Sequence, residues 1–192
     1  MPERRNLFNK LSTDPLDIIS EYYDPGSRTY EILLRHGKLV AQKAMDAARK
    51  VSHLKPDMEF IEEAALLHDI GIFQTDTPQL GCSGKYPYIC HGYLGREILE
   101  KAGLPRHALV CERHLGVGIS ADEIVKNGLP VPERDMIPLS IEEQVVCYAD
   151  KFFSKNWNLI AKNNSEEEII RALESYENGS AEKFRAWMTL FE

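Results

Sequence analysis

No apolar run in these 192 residues approaches the ~20 needed to cross a bilayer. The charged start, Met1 to Lys10, has no apolar stretch behind it of the kind a secretory signal requires. The chain is therefore expected to stay in the cytoplasm without a membrane partner. Paired thiols are lacking too: Cys82, Cys90, Cys111 and Cys147 form no Cys-x-x-Cys unit. Cys111 and Cys147 fall in helical patterns as buried apolar fillers. Cys82 and Cys90 flank a loop, where a reducing compartment favours free thiols. Positive charge is in short supply, the formal balance being −7, which argues against a general nucleic-acid partner and leaves room only for a local basic pocket. Alternating apolar and polar runs long enough for a strand are also absent, which makes the chain all-α. With 43% hydrophobic and 28% charged residues, the composition is that of an ordinary globular protein, and the length suits one large domain better than two small ones.

The helical pattern comes in blocks. A short helix is expected over Pro15–Tyr23, stopped by Asp24-Pro25-Gly26. From Thr29 to Val51, Ile32, Leu33, Leu39, Val40, Ala44, Ala47, Ala48 and Val51 recur at spacings of three and four, and His36 lies on that stripe. Asp57 caps a helix that runs to His68. Residues 72–90 carry glycine and proline breaks and no period, which fits a lid or a disordered loop. His91 opens a helix that stops at Gly103. Pro105 opens another, in which Val110 and Cys111 share a face with His114. Ser120 with Glu123 and Ser140 with Glu143 read as capping boxes, the second opening a helix expected to reach about Trp157. Serines 165 and 180 start the last two.

The chain is organised around Glu62–Gly71, an apolar helical run that ends on His68 and Asp69 side by side. Neighbours on a regular helix diverge by about 100°, so both can face one ion only where the backbone turns. Gly71 is expected to make that turn in a left-handed conformation. Six side chains then stand out on apolar faces: His36, His68, Asp69, His91, His114 and Asp150. Singly, each has an ordinary explanation, a histidine as a hydrogen-bonded core residue and Asp150 as a partner of Lys151 or Arg113. Burying all of them costs several kcal/mol unless they pair or bind metal. His53 and His107 read as surface residues.

His36, the pair His68-Asp69 and Asp150 resemble the H…HD…D signature of the HD superfamily in its HDIG form, over roughly His36 to Lys151. The contexts His36-Gly37 and Tyr148-Ala149-Asp150-Lys151 are similar as well, and His91 and His114 resemble the two added histidines of members that bind two ions. The resemblance implies an HD-domain helical bundle, a single domain over residues 1–192 with a core at 29–157 and extensions at 1–28 and 158–192. It implies two divalent transition-metal ions (Fe, Mn, Ni, Co or Zn). His36, His68 and Asp150 would hold one and His91 and His114 the other, with Asp69 bridging; a single ion on His36, His68, Asp69 and Asp150 is the simpler alternative. The implied activity is metal-dependent hydrolysis of a phosphate ester or anhydride of a nucleotide or related small phosphorylated molecule, through a hydroxide shared by the ions. Asp69 and Lys151 are then the catalytic candidates, and Lys151, Arg113 and Lys85 the substrate-binding ones, ahead of Arg35 and Lys38.

The Gly-Tyr-Pro motif and His-His pair of cyclic-dinucleotide phosphodiesterases are missing: Leu115 follows His114, and Ile72 stands where a lysine is common. The six-donor order is similar to that of bacterial diadenosine tetraphosphate hydrolases, and Glu112–Ile119 resembles small HDIG proteins of prokaryotes. A di-iron oxygenase of the myo-inositol oxygenase type uses the same donor order. A non-catalytic module that keeps metal for folding would retain it too.

Overall fold

Six polar residues decide where helices begin in this protein. The computed structural model describes residues 14–155, 164–176 and 179–192. Asp14, Ser27, Asp57, Ser120, Ser140 and Ser165 each accept a backbone N–H from the first turn of the helix that follows, satisfying donors that have no partner within the helix. The helices are α1 (Pro15–Tyr22), α2 (Arg28–Lys50), α3 (Met58–Leu67), α4 (His91–Lys101), α5 (Pro105–Arg113), α6 (Ala121–Asn127), α7 (Ile141–Asp150), α8 (Glu166–Glu174) and α9 (Ser180–Phe191). At Ser120 and Ser165 the reciprocal capping box is complete. At Ser140 the Glu143 carboxylate turns instead to the Leu139 amide and to Arg113. The fold is mostly helical, as the absence of alternating runs requires.

Helix α2 is the axis, and it crosses two apolar clusters. One gathers Val40, Ala44 and Val51 with Phe60, Ile61, Val145, Tyr148, Phe184 and Trp187, joining α2, α3, α7 and α9. The other gathers Ile32 and Leu33 with Ile18, Ile19, Tyr23, Leu67, Ile70 and Leu99, joining α2 to α1 and α4. His36 lies between the two sets on the buried face of α2. The polar centre therefore sits where the two cores meet, walled off from solvent by both. Gly37 allows α3 to approach α2 closely at this level, since a Cβ there would lie 3.2 Å from the Leu66 Cα.

Three expectations are corrected by the structure. Helix α7 ends at Asp150 rather than near Trp157. Beyond it Lys151, Phe152 and Phe153 donate to carbonyls three residues back, which tightens the last turn, and residues 156–163, Trp157 among them, lie outside the described residues. The segment 72–90 is neither open nor irregular throughout. It carries 3-10 turns and a two-residue antiparallel pairing of β1 (Asp76–Thr77) with β2 (Cys82–Ser83). Buried Leu80, Cys82 and Cys90 anchor it, and the Thr29 hydroxyl donates to the Leu80 carbonyl at 2.8 Å. His107 is buried rather than exposed: its ring stands edge-on to Phe60 and its Nε2 is 3.0 Å from Glu63 Oε2. His53 is exposed as expected. All four cysteines are free and buried, and the Cys90 thiol donates to the Pro130 carbonyl.

Candidate metal centre

The helix α3 ends at Leu67, and the next two residues leave it in different directions. His68 is still right-handed helical (φ −57°, ψ −23°), whereas Asp69 sits at φ −106°, ψ 8°, the sparsely populated bridge region where site residues often lie. This one bend lets consecutive side chains face the same space, with His68 Nε2 3.2 Å from Asp69 Oδ2. The expectation for Gly71 is corrected in its reason: its backbone is not left-handed. Glycine is needed there because a Cβ would lie 2.2 Å from the His91 carbonyl oxygen and 2.5 Å from the Gly95 nitrogen. Its bare backbone thus lets α4 bring His91 up to Asp69.

All six side chains that the sequence singles out converge, each nearly inaccessible to solvent. On one side, His36 Nε2 lies 2.9 Å from Asp150 Oδ1, 3.3 Å from His68 Nε2 and 3.4 Å from Asp69 Oδ2. On the other, His91 Nε2 and His114 Nε2 stand 3.1 Å apart and 3.2 and 3.5 Å from Asp69 Oδ1. Asp69 thus turns one carboxylate oxygen to each group. The two sets, His36, His68, Asp69 and Asp150, and Asp69, His91 and His114, each offer ligand atoms within 4.8 Å of one another.

Three of the four imidazoles are aimed by the same device. His68, His91 and His114 donate from Nδ1 to the carbonyl three residues earlier, of Ala65, Tyr88 and Cys111, at 2.6–2.7 Å. That bond fixes the tautomer and leaves Nε2 for the centre. His36 is the exception: its Nδ1 is buried with no partner among the described residues.

Proton placement follows from burial and charge. Burial, aided by the nearby Lys155 ammonium, lowers His36 to about 4, and burial lowers His114 to about 3. For His68, burial acts downward but is outweighed by the Asp69 and Asp150 carboxylates, which raise it to about 9. Burial would raise both carboxyls, yet they are held well below the usual range, Asp69 by His68 and Lys155 and Asp150 by Lys151 and Lys155.

These residues fit a metal. The Nε2 atoms of His91 and His114 face one another at 3.1 Å while the Nδ1 of each already donates to a backbone carbonyl. Two lone pairs so placed repel unless a cation lies between them. Both oxygens of buried Asp69 also lack hydrogen-bond geometry among the described residues. Oδ2 has the Lys155 ammonium beside it, but Oδ1 has only the His91 and His114 imidazoles, which is expensive for a carboxylate oxygen unless it coordinates an ion. The nitrogen and oxygen donor set suits Fe, Mn, Co, Ni or Zn.

The cationic candidates are distributed less evenly. Lys151 Nζ binds Asp150 Oδ2 at 2.7 Å and the His114 carbonyl at 3.2 Å, bracing the centre from behind. Arg113 is committed to Glu143 at 2.9 and 3.1 Å. Lys85 is exposed on the turn after β2. Sequence reasoning missed Lys155, whose Nζ lies 3.1 Å from Asp69 Oδ2 and 3.3 Å from Asp150 Oδ1. It also missed Tyr88, whose ring leans on His91 with centroids 4.4 Å apart and whose phenol feels the Lys155 charge.

The HD domain family matches residues 33–154, a span that holds all six donors, and the chain belongs to it. Among curated proteins it is 32% identical over 154 residues to a tRNA (cytidine(56)-2'-O)-methyltransferase of Thermoplasma volcanium, covering 80% of this chain and 40% of that protein. It is 33% identical over 123 residues to an uncharacterised protein of Methanocaldococcus jannaschii, covering 62% of this chain and 65% of that one. It is 35% identical over 125 residues to the methyltransferase of the same name from Picrophilus torridus, covering 65% and 32%. The chain thus spans less than half the length of either methyltransferase. No solved structure matches it. Among the described residues no helix is long and apolar enough to cross a membrane.

Proposed function

We propose that this HD protein is a metal-dependent phosphohydrolase acting on a phosphate ester or anhydride of a nucleotide or related small molecule. The observation that carries the reading is the single carboxylate, Asp69, shared by two donor groups that face each other across it. Two divalent ions held by His36, His68 and Asp150 and by His91 and His114, with Asp69 between, would supply Lewis-acid activation of water and neutralise charge growing on a phosphoryl group. The protein's part is to aim the donors. Backbone carbonyls lock three imidazoles, and Lys151 holds Asp150 by one oxygen, leaving the other for the centre. The two apolar clusters keep the surroundings dry, so that charge acts at short range in a low dielectric. Lys151 is a positioning residue in this scheme, and Arg113 and Lys85 contribute little to binding.

The methyltransferase relatives do not redirect the reading. Their names describe proteins of which this chain matches 40% and 32%, so the named activity is not carried over to this chain. An oxygenase would use the same donors, so the test must separate the two. Purified protein loaded in turn with Mn, Fe, Co, Ni or Zn is assayed against nucleotides and sugar phosphates, with phosphate release and oxygen uptake followed together. Phosphate release without oxygen uptake, lost with the metal in His68→Ala and Asp69→Ala and kept in the exposed control His53→Ala, is the expected result. Hydrolysis that survives in Asp69→Ala, or oxygen uptake coupled to substrate loss, overturns it.

A further inference from the structure

We propose that Lys155 and Tyr88 form a donor pair that receives the non-bridging oxygens of the substrate phosphoryl group, an inference that rests on the phosphohydrolase reading. Among the cations around the centre, Lys151 is fastened on two sides and Arg113 is spent on Glu143. Lys155 is placed differently. Its described ion-pair partners are the centre-facing oxygens Asp69 Oδ2 and Asp150 Oδ1, its charge acts on the Tyr88 phenol, and its side chain is mostly buried. It stands on the His36–His68 side, whereas Tyr88 leans on His91, on the opposite side of Asp69. Ammonium and phenol thus stand by opposite donor groups, on either side of Asp69, and border the space a phosphoryl group must enter to touch both.

The chemistry suits that place. A terminal phosphoryl group brings three non-bridging oxygens and up to two negative charges into a centre already lined by two carboxylates. Two ions can each take one oxygen, and the third needs a donor in a site sheltered from water. A buried ammonium supplies a charge-assisted hydrogen bond. A phenol beside it supplies a neutral one and, through its ring against His91, ties the end of the 72–90 segment to the second donor group. The pair also offsets part of the repulsion a phosphate meets in a protein of net charge −7.

The test uses full-length metal-loaded protein with inorganic phosphate as probe, measured by calorimetry, with metal content per chain determined on the same samples. Lys155→Met is expected to weaken phosphate by roughly 10- to 100-fold, the range for one charge-assisted hydrogen bond. Lys155→Arg should recover much of that loss, and Tyr88→Phe, which keeps the ring, should cost roughly 3- to 10-fold. Metal content is expected to match wild type in all three. Unchanged phosphate affinity in Lys155→Met overturns the inference alone, provided the wild type releases phosphate from an ester. Loss of metal in Lys155→Met or Tyr88→Phe also overturns it, since the pair would then serve the ligand cage. A wild type that binds no phosphate and cleaves no ester removes the phosphohydrolase reading and this inference with it.

Discussion

Gly71→Ala should separate the two halves of the centre. An added Cβ would lie 2.2 Å from the His91 carbonyl oxygen, about 1 Å short of an ordinary carbon–oxygen approach. It would also lie 2.5 Å from the Gly95 nitrogen. Both obstacles are backbone, so no rotamer change relieves them, and the start of α4 must withdraw by about 1 Å. Overpacking of this kind costs about 3 kcal/mol, the upper part of its usual range, or a fall of roughly 6–12 °C in Tm for a chain of this length. The functional effect is more selective. His91 Nε2 is 3.2 Å from Asp69 Oδ1, and ligand distances tolerate only about 0.2 Å, so the His91–His114 ion should be lost. His36, His68 and Asp150 do not ride on α4 and should keep theirs. On the proposed two-ion reading, the metal content of the variant is expected to fall from two ions per chain to one, alongside the thermal shift. Gly103→Ala is the control: its Cβ meets nothing within 4 Å, and its positive φ of 77° costs about 1–2 kcal/mol without touching the centre. A Gly71→Ala protein with wild-type Tm and two ions would show that the close approach of α4 does not position His91.

Two further outcomes follow from buried charge. After chelation, thermal stability should peak near pH 6.5. His36 and His114, lowered to about 4 and about 3, stay neutral in the fold while the unfolded chain takes up their protons, so stability falls as pH drops below about 6.5. His68, raised to about 9, holds a proton in the fold that the unfolded chain releases, so its contribution is complete below about 6.5 and is lost as pH rises through about 9. A Tm that climbs steadily from pH 6 to 9 would refute this placement of protons. In a separate network, buried Glu112 joins Arg96 on α4 at 2.5 Å to Arg134 in the proline-rich link at 2.5 and 3.0 Å. Glu112→Gln should cost about 2 kcal/mol, less than the ~3–5 for breaking a fully buried pair because the guanidiniums reach solvent. That predicts a Tm lower by roughly 4–8 °C, and a shift under 1 °C by calorimetry would show that the network is replaceable.

What the sequence disclosed and what it concealed divide along the reach of local periodicity. His36, His91 and His114 were legible because each shares a helix face with apolar neighbours, and polar groups on such a face need a reason. His68 and Asp69 were legible because consecutive donors before a glycine break the helical pattern. The role of Gly71 was misread because periodicity describes one element, and the constraint comes from α4, twenty residues further on. His107 was misread against a signal that was present: it stands three and four residues before Val110 and Cys111, on the face they share with His114, and it is buried there with Glu63 as its partner.

Lys155 shows how one wrong helix end hides a functional group. On a helix running to Trp157, residue 155 lies five positions beyond Asp150 and so roughly 140° around the axis from it, pointing away from the donors. The sequence points instead to Lys151, which directly follows Asp150. With α7 ending at Asp150, the chain turns through Lys151 to Phe153 on bonds spanning three residues, and the turn folds Lys155 back over the carboxylates. Lys151 meanwhile reaches behind Asp150 to the His114 carbonyl. The two lysines thus take opposite sides of the same aspartate, one bracing it and one facing the centre, and only the point at which the helix stops decides which does which. Nothing in Tyr148–Lys151 marks that stop, since Phe152 and Phe153 would continue an apolar helix face as readily as they end one.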